Sequence, residues 1–143
     1  MRLMYNRHSM RNSVFSDTDL TMTKPFLISV VDDDESLQES LDGLLKSLGH
    51  SVAVFSSAES FLNSEAPAVT DCLILDVRMP GMSGPELQRE LVTRQWKVPI
   101  IFITAHGDDD VISRVMADGA VDCLLKPFSE DSLLNAISLA MRL

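Results

Sequence analysis

Residues 30–35 read VVDDDE: two β-branched apolar residues run without a spacer into four carboxylates. The apolar pair closes a longer run, FLISVV (26–31), whose length and branching predict a buried strand. A strand that ends in so much like charge poses a problem, because close carboxylates repel strongly unless water or a cation screens them. Either the run is fully solvated or it holds a metal, and the residues further along the chain bear on the choice.

Outward from that stretch, short apolar runs alternate with amphipathic segments. Positions 36–48 set Leu37, Leu41, Leu44, Leu45 and Leu48 on one helical face before Gly49 stops the turn. SVAVF (51–55) predicts a second strand, and Ser56 with Glu59 forms a capping-box pattern opening a short helix to about Asn63. DCLILD (71–76) predicts a third strand; Ser83 with Glu86 repeats the capping signal ahead of Leu87 and Leu91. VPIIFIT (98–104) is almost wholly apolar, as central parallel strands are. A helix over 108–118 directs Val111, Ile112, Val115 and Met116 inward, and VDCLL (121–125) predicts a fifth strand. Ser129 caps a last helix with Leu133, Leu134, Ile137 and Met141 on one side. Five such units in strict alternation predict an α/β fold, a doubly wound five-stranded parallel sheet of order 2-1-3-4-5 with helices on both faces, the flavodoxin-like arrangement.

The totals agree with one domain. The 143 residues suffice to bury a core without staples, and a 45% hydrophobic content excludes a disordered chain. No apolar run approaches the roughly 20 residues of a membrane span, so a soluble protein without a membrane partner is expected. Residues 1–24 mix Ser, Thr, Asn and charge without an apolar signal core and read as a flexible extension, with Met22 an alternative start; the folded domain is expected over 25–143. Beyond residue 25 the chain holds 8 basic and 19 acidic groups, net −11, which repels phosphate backbones and argues against direct nucleic-acid binding by this domain. Cys72 and Cys123 are too few and too widely spaced for a disulfide framework or a zinc site, which suits a reducing, cytoplasmic compartment. Two strand spacings, about 9.5 Å, would separate them, beyond the roughly 7 Å limit for a disulfide.

Open sheets of this kind bind ligands beyond the carboxyl ends of their strands, where the strand order reverses. The first strand ends in Asp32 and Asp33, the third in Asp76 and the fourth in Thr104, while the fifth runs into Lys126. Asp32, Asp33 and Asp76 would therefore meet at the switch point. Carboxylates without His or Cys select a hard cation, and Mg²⁺ suits a site with few protein ligands because it keeps several waters. Asp76 can then accept a phosphoryl group as an aspartyl nucleophile, with Lys126 as counter-charge and the Thr104 hydroxyl as hydrogen-bond donor.

Together, VVDDDE, LILDVRMPGMSGPEL, FITAHGD and DGAVDCLLKPF resemble the receiver domain of bacterial two-component response regulators, CheY-like in fold and closest in wording to the FixJ type. The resemblance covers residues 26–142. It implies that a sensor histidine kinase donates a phosphoryl group to Asp76. It implies that Asp33, Asp76 and the backbone carbonyl of Arg78 ligate Mg²⁺ directly, with Asp32 acting partly through water. It further implies a cis bond before Pro127, and a phosphorylation-driven change on the face formed by segment 108–118, strand 121–125 and the last helix, often with homodimerisation. Where the family carries Tyr or Phe as a switch, three residues before the lysine, this chain has Cys123. FixJ-type proteins continue into a linker and a DNA-binding output domain; this sequence ends at Leu143, so a stand-alone receiver or the receiver of a longer regulator acting on an output domain or downstream protein is expected.

Plainer readings stand beside these. The run at 32–35 would also suit a helix N-terminus, and Asp108, Asp109 and Asp110 read as the first turn of a helix and nothing more. Lys126 alone would suit a surface ion pair, Thr104 a β-branched strand position, and Gly81 and Gly84 a turn. His8, His50 and His106 are scattered, and Trp96 reads as packing. Two rival functions use the same residues: a haloacid-dehalogenase-type aspartyl-phosphate phosphatase, which needs a second acid where Arg78 stands, and a constitutive pseudo-receiver interaction module, to which Cys123 points.

Overall fold

The computed structural model describes residues 26–105 and 108–142; the extension over 1–24, Met22, His8 and His106 lie outside the described residues. The apolar runs form β1 (Leu27–Val31), β2 (Ser51–Phe55), β3 (Cys72–Asp76), β4 (Ile100–Thr104) and β5 (Asp122–Leu125). All pair in parallel, in the order β2-β1-β3-β4-β5 anticipated from the alternation. Val31 lies opposite Phe55 and Leu75, Asp76 opposite Ile103, and Thr104 opposite Leu125. This register brings the carboxyl ends of the strands to one edge of the sheet.

The connections are helical: α1 (Glu35–Ser47), α2 (Ala58–Leu62), α3 (Ala66–Val69), α4 (Gly84–Thr93), α5 (Asp109–Ala117) and α6 (Glu130–Met141). Because strand side chains alternate between faces, the interior divides in two. Ile28, Val30, Cys72, Ile74, Ile101 and Ile103 pack on Leu41 and Leu45 of α1 and on Leu133 and Ile137 of α6. Val31, Leu73, Leu75 and Phe102 point the other way, onto Phe61 of α2, Leu87 and Leu91 of α4 and Val115 of α5. Truncating Leu75 or Phe102 to Ala removes contacts on a fully buried position and costs about 2–5 kcal/mol. Cys72 and Cys123 belong to opposite layers, and both are free thiols. Trp96 packs against the second layer, with the Arg94 guanidinium 5.9 Å from its ring centroid. Among the described residues no helix is long and apolar enough to cross a membrane.

Several local expectations are corrected. Ser57, not Ser56, caps α2: its hydroxyl accepts the Ser60 amide at 3.1 Å, and Glu59 plays no part in a capping box there. The short α3 has no counterpart in the sequence reading, because four residues around Pro67 carry no periodicity. Met116, Leu48 and Met141 are exposed rather than inward. Met116 and Met141 each follow a buried residue, Val115 and Ala140, and one position along a helix turns a side chain by about 100°, off the apolar stripe. Leu48 sits at the C-cap, where the helical repeat has ended. The capping box of α4 is present in both directions, Ser83 Oγ accepting the Glu86 amide at 3.2 Å and Glu86 Oε1 accepting the Ser83 amide at 2.8 Å.

Candidate functional site

The acidic run divides between two tasks as soon as β1 ends. Asp32 still belongs to the sheet, its amide donating to Phe55 O at 3.1 Å, and its side chain is fully buried. Asp34 is the N-cap of α1, with Oδ1 accepting the amides of Ser36 at 2.9 Å and Leu37 at 3.4 Å. Asp33, exposed between them, adds a carboxylate to the cluster formed with Asp32 and Asp76. One oxygen each of Asp32, Asp33 and Asp76 lies within 4.8 Å of the others.

Lys126 enters from the end of β5. Its amide donates to Thr104 O at 2.8 Å, and its ammonium stands 3.0 Å from Asp32 Oδ2 and 3.6 Å from Asp76 Oδ1. The peptide between Lys126 and Pro127 is cis. Thr104 closes β4 with its side chain almost wholly buried. The sequence-derived residues Asp32, Asp33, Asp76, Thr104 and Lys126 thus all lie at neighbouring strand ends, and Arg78 follows Asp76 by two positions.

The electrostatics bear on what the pocket holds. Burial lifts the Asp76 carboxyl from 3.8 to about 6, with Asp32 and, less strongly, Asp33 adding to the rise; Lys126 and the Arg78 backbone amide oppose it. Burial also works to lower the Lys126 ammonium, yet its hydrogen bond to Asp32 and the charges of Asp76, Asp32 and Asp34 prevail and raise it above the ordinary lysine value. Three carboxylates against one ammonium leave two negative charges uncompensated when all are ionised. At such separations each like-charged pair costs about 3 kcal/mol in a partly screened protein environment. A divalent cation would balance that charge, and the all-oxygen donor set of this cluster, without His or Cys, could hold a hard ion such as Mg²⁺.

Further residues complete the surroundings, and of them only Gln38 goes unmarked in the sequence. Gln38 donates through Nε2 to the Asp32 carbonyl and, at 3.2 Å, to Ser56 Oγ, pinning the turn between β1 and α1. Nothing in its spacing signals this, since its main partner is a backbone oxygen. Glu59 accepts the Met82 amide at 2.8 Å in the loop after β3. Asp108 caps α5 through Oδ1 and places Oδ2 3.6 Å from the Arg78 guanidinium, a partner that its sequence neighbours did not reveal. Gly84 is required by close approach: a Cβ there would stand 2.2 Å from the Asp76 carbonyl oxygen, so only glycine lets α4 start against the end of β3. Cys123, opposite Phe102, is half-buried against the layer containing α4 and α5, and burial followed by the charge of Asp122 pushes its thiol upward.

Comparison with known proteins identifies the family and the fold. The family model for the response regulator receiver domain matches residues 28–138. Nodulation protein W of Bradyrhizobium diazoefficiens is 49% identical over 111 residues, covering 78% of this chain and 49% of that protein. The solved response regulator StyR superposes with a TM-score of 0.77 at 46% identity, over 83% of this chain and 60% of that one. The FixJ-N crystal structure gives 0.76 at 39% identity, over 84% and 96%. The chain spans about half the length of the curated relatives it matches.

Proposed function

The chain belongs to the response regulator receiver domain family, and on that premise we propose that it is a phosphorylation-operated switch whose acceptor is Asp76. The observation that carries the reading is the meeting of Asp76 with Lys126, 3.6 Å away, inside a cluster of three carboxylate donors at the reversal of strand order. Asp32, Asp33, Asp76 and the Arg78 carbonyl would hold Mg²⁺. When bound, the ion supplies charge neutralisation for the transferred phosphoryl group. The chain's own residues do the remainder. An Asp76 carboxylate oxygen forms the new bond to phosphorus as the bond to a kinase histidine nitrogen breaks. Lys126 is already charged and aimed at Asp76, so it needs little reorganisation to pair with a phosphoryl oxygen. Thr104, from the adjacent strand end, donates its hydroxyl to the same group.

The proposed partners are a sensor histidine kinase and an output domain or downstream protein, in the cytoplasm. Large apolar side chains stand exposed on α5 (Met116), β5 (Leu125) and α6 (Leu139 and Met141), which supports this face as the output surface and as a phosphorylation-dependent homodimer contact. An aromatic swing is impossible at Cys123, so coupling through that switch position would run by displacement of the backbone after β4 and of α5. Arg78 pairs with Asp108 and brings no second acid to the pocket, which weighs against the phosphatase reading.

Acetyl phosphate and MgCl₂ should add one phosphoryl group, read by intact mass, and either EDTA or Asp76→Asn should prevent it. Undiminished labelling of Asp76→Asn would reject the site.

A further inference from the structure

The loop joining β3 to α4 carries the Arg78 carbonyl, and its two ends are fixed by backbone bonds. Val77 N donates to Ile103 O at 3.0 Å, and Gly84 N to Val77 O at 3.0 Å. Val77 and Met79 flank Arg78 with buried side chains. The stretch between Met79 and the Ser83 cap turns back through Gly81, whose φ of 78° is left-handed. At this turn Glu59 reaches across from α2, and its Oε2 accepts the Met82 amide at 2.8 Å over 23 residues of sequence. A Cβ on Gly81 would meet that same oxygen at 2.6 Å, so glycine serves both the turn and the space for the carboxylate. Glu59 is itself exposed and does not cap its own helix, the task that its spacing from Ser56 suggested.

We infer that Glu59 is a positioning residue, a tether from α2 that holds the β3–α4 loop so that the Arg78 carbonyl is presented to the metal site. The inference deepens the magnesium reading above and rests on it. It assigns Glu59 no contact with ion or phosphoryl group. Its role is to narrow the conformations open to the loop, and so to lower the free energy of ordering that binding would otherwise require.

Glu59→Gln and Glu59→Ala test it, because Gln keeps an acceptor oxygen without the charge and Ala keeps neither. Three readouts apply: Met82 amide exchange in the metal-free protein, the dissociation constant for MgCl₂, and the Mg²⁺ concentration giving half-maximal loading from acetyl phosphate. For Glu59→Ala, Met82 exchange should accelerate and the dissociation constant and half-maximal concentration should rise by about threefold to tenfold, as loss of one modest hydrogen bond implies. The loading rate at saturating Mg²⁺ should stay within about twofold of wild type, since no transition-state contact is lost. Glu59→Gln should lie near wild type on all three readouts. Equal weakening by Gln and Ala would assign the effect to charge alone and overturn the tether, as would wild-type behaviour of Glu59→Ala. In both cases a wild type that binds Mg²⁺ and loads Asp76 leaves the parent reading standing. A wild type without affinity for Mg²⁺ overturns both.

Discussion

Two acidic runs follow buried strands in this molecule, Asp32–Glu35 after β1 and Asp108–Asp110 after β4, and they open helices in the same way. Asp34 and Asp108 each accept the amides two and three residues ahead through a single carboxylate oxygen. The spacing of the cap from its acceptors does not distinguish the two runs; the distance from the strand does. Asp32 follows Val31 directly and remains bonded to the sheet, so its carboxylate is carried into the pocket with Lys126 and Asp76. Three residues separate Thr104 from Asp108, and the second run lies outside the pocket, where its contact is with the Arg78 guanidinium. Both runs supply a helix cap, and only the run that begins directly at the strand end also supplies carboxylates to the Asp76 cluster.

The contrast can be broken most severely at the metal. Asp32→Asn should weaken Mg²⁺ binding by about tenfold to a hundredfold, the range seen when a residue supporting a metal site is removed. Asp110→Asn should leave the affinity within about twofold by the same titration, its carboxylate lying outside the cluster. Stability without metal should separate the runs next. Because the folded protein raises the Asp76 pKa above its unfolded value, the native state holds its proton more tightly. The wild type therefore loses stability as pH rises from about 4 through about 6. In EDTA at pH 7, Asp76→Asn should gain about 1–3 kcal/mol by urea denaturation, and the gain should vanish below about pH 4. No comparable gain is expected for Asp110→Asn.

Smaller effects test what the runs share. Asp34→Ala and Asp108→Ala should each destabilise by about 0.5–2 kcal/mol, since each removes an N-cap acceptor. A large difference between them in urea would mean that one cap carries a further load. Smallest of all, a double-mutant cycle on Arg78 and Asp108 should give a coupling of about 0.2–1 kcal/mol that fades in high salt, because both groups are well exposed.

Much of this was legible in the sequence because it depends on period and order. Alternation of apolar runs with amphipathic segments indicates the helix-covered sheet, and the residues at or just past the ends of four strands, Asp32, Asp76, Thr104 and Lys126, converge because the strands are parallel and ordered 2-1-3-4-5. What was not legible depends on how loops close. The capping-box spacing favours Ser56, with Glu59 three residues on, yet the turn after β2 puts Ser57 at the cap and leaves Glu59 to cross to Met82. Gln38 binds a backbone carbonyl, a partner without a side-chain signature. Arg78 and Asp108 belong to loops that meet only when the sheet is assembled.

Assigned amide resonances followed through a MgCl₂ titration test the central claim most directly. Saturable shifts at Asp33, Val77 and Arg78, moved to about tenfold to a hundredfold higher MgCl₂ in Asp32→Asn and absent from Asp109 and Asp110 of α5, are expected. Shifts that never saturate, or that saturate equally along both acidic runs, would contradict a metal-dependent phosphoacceptor pocket at Asp76.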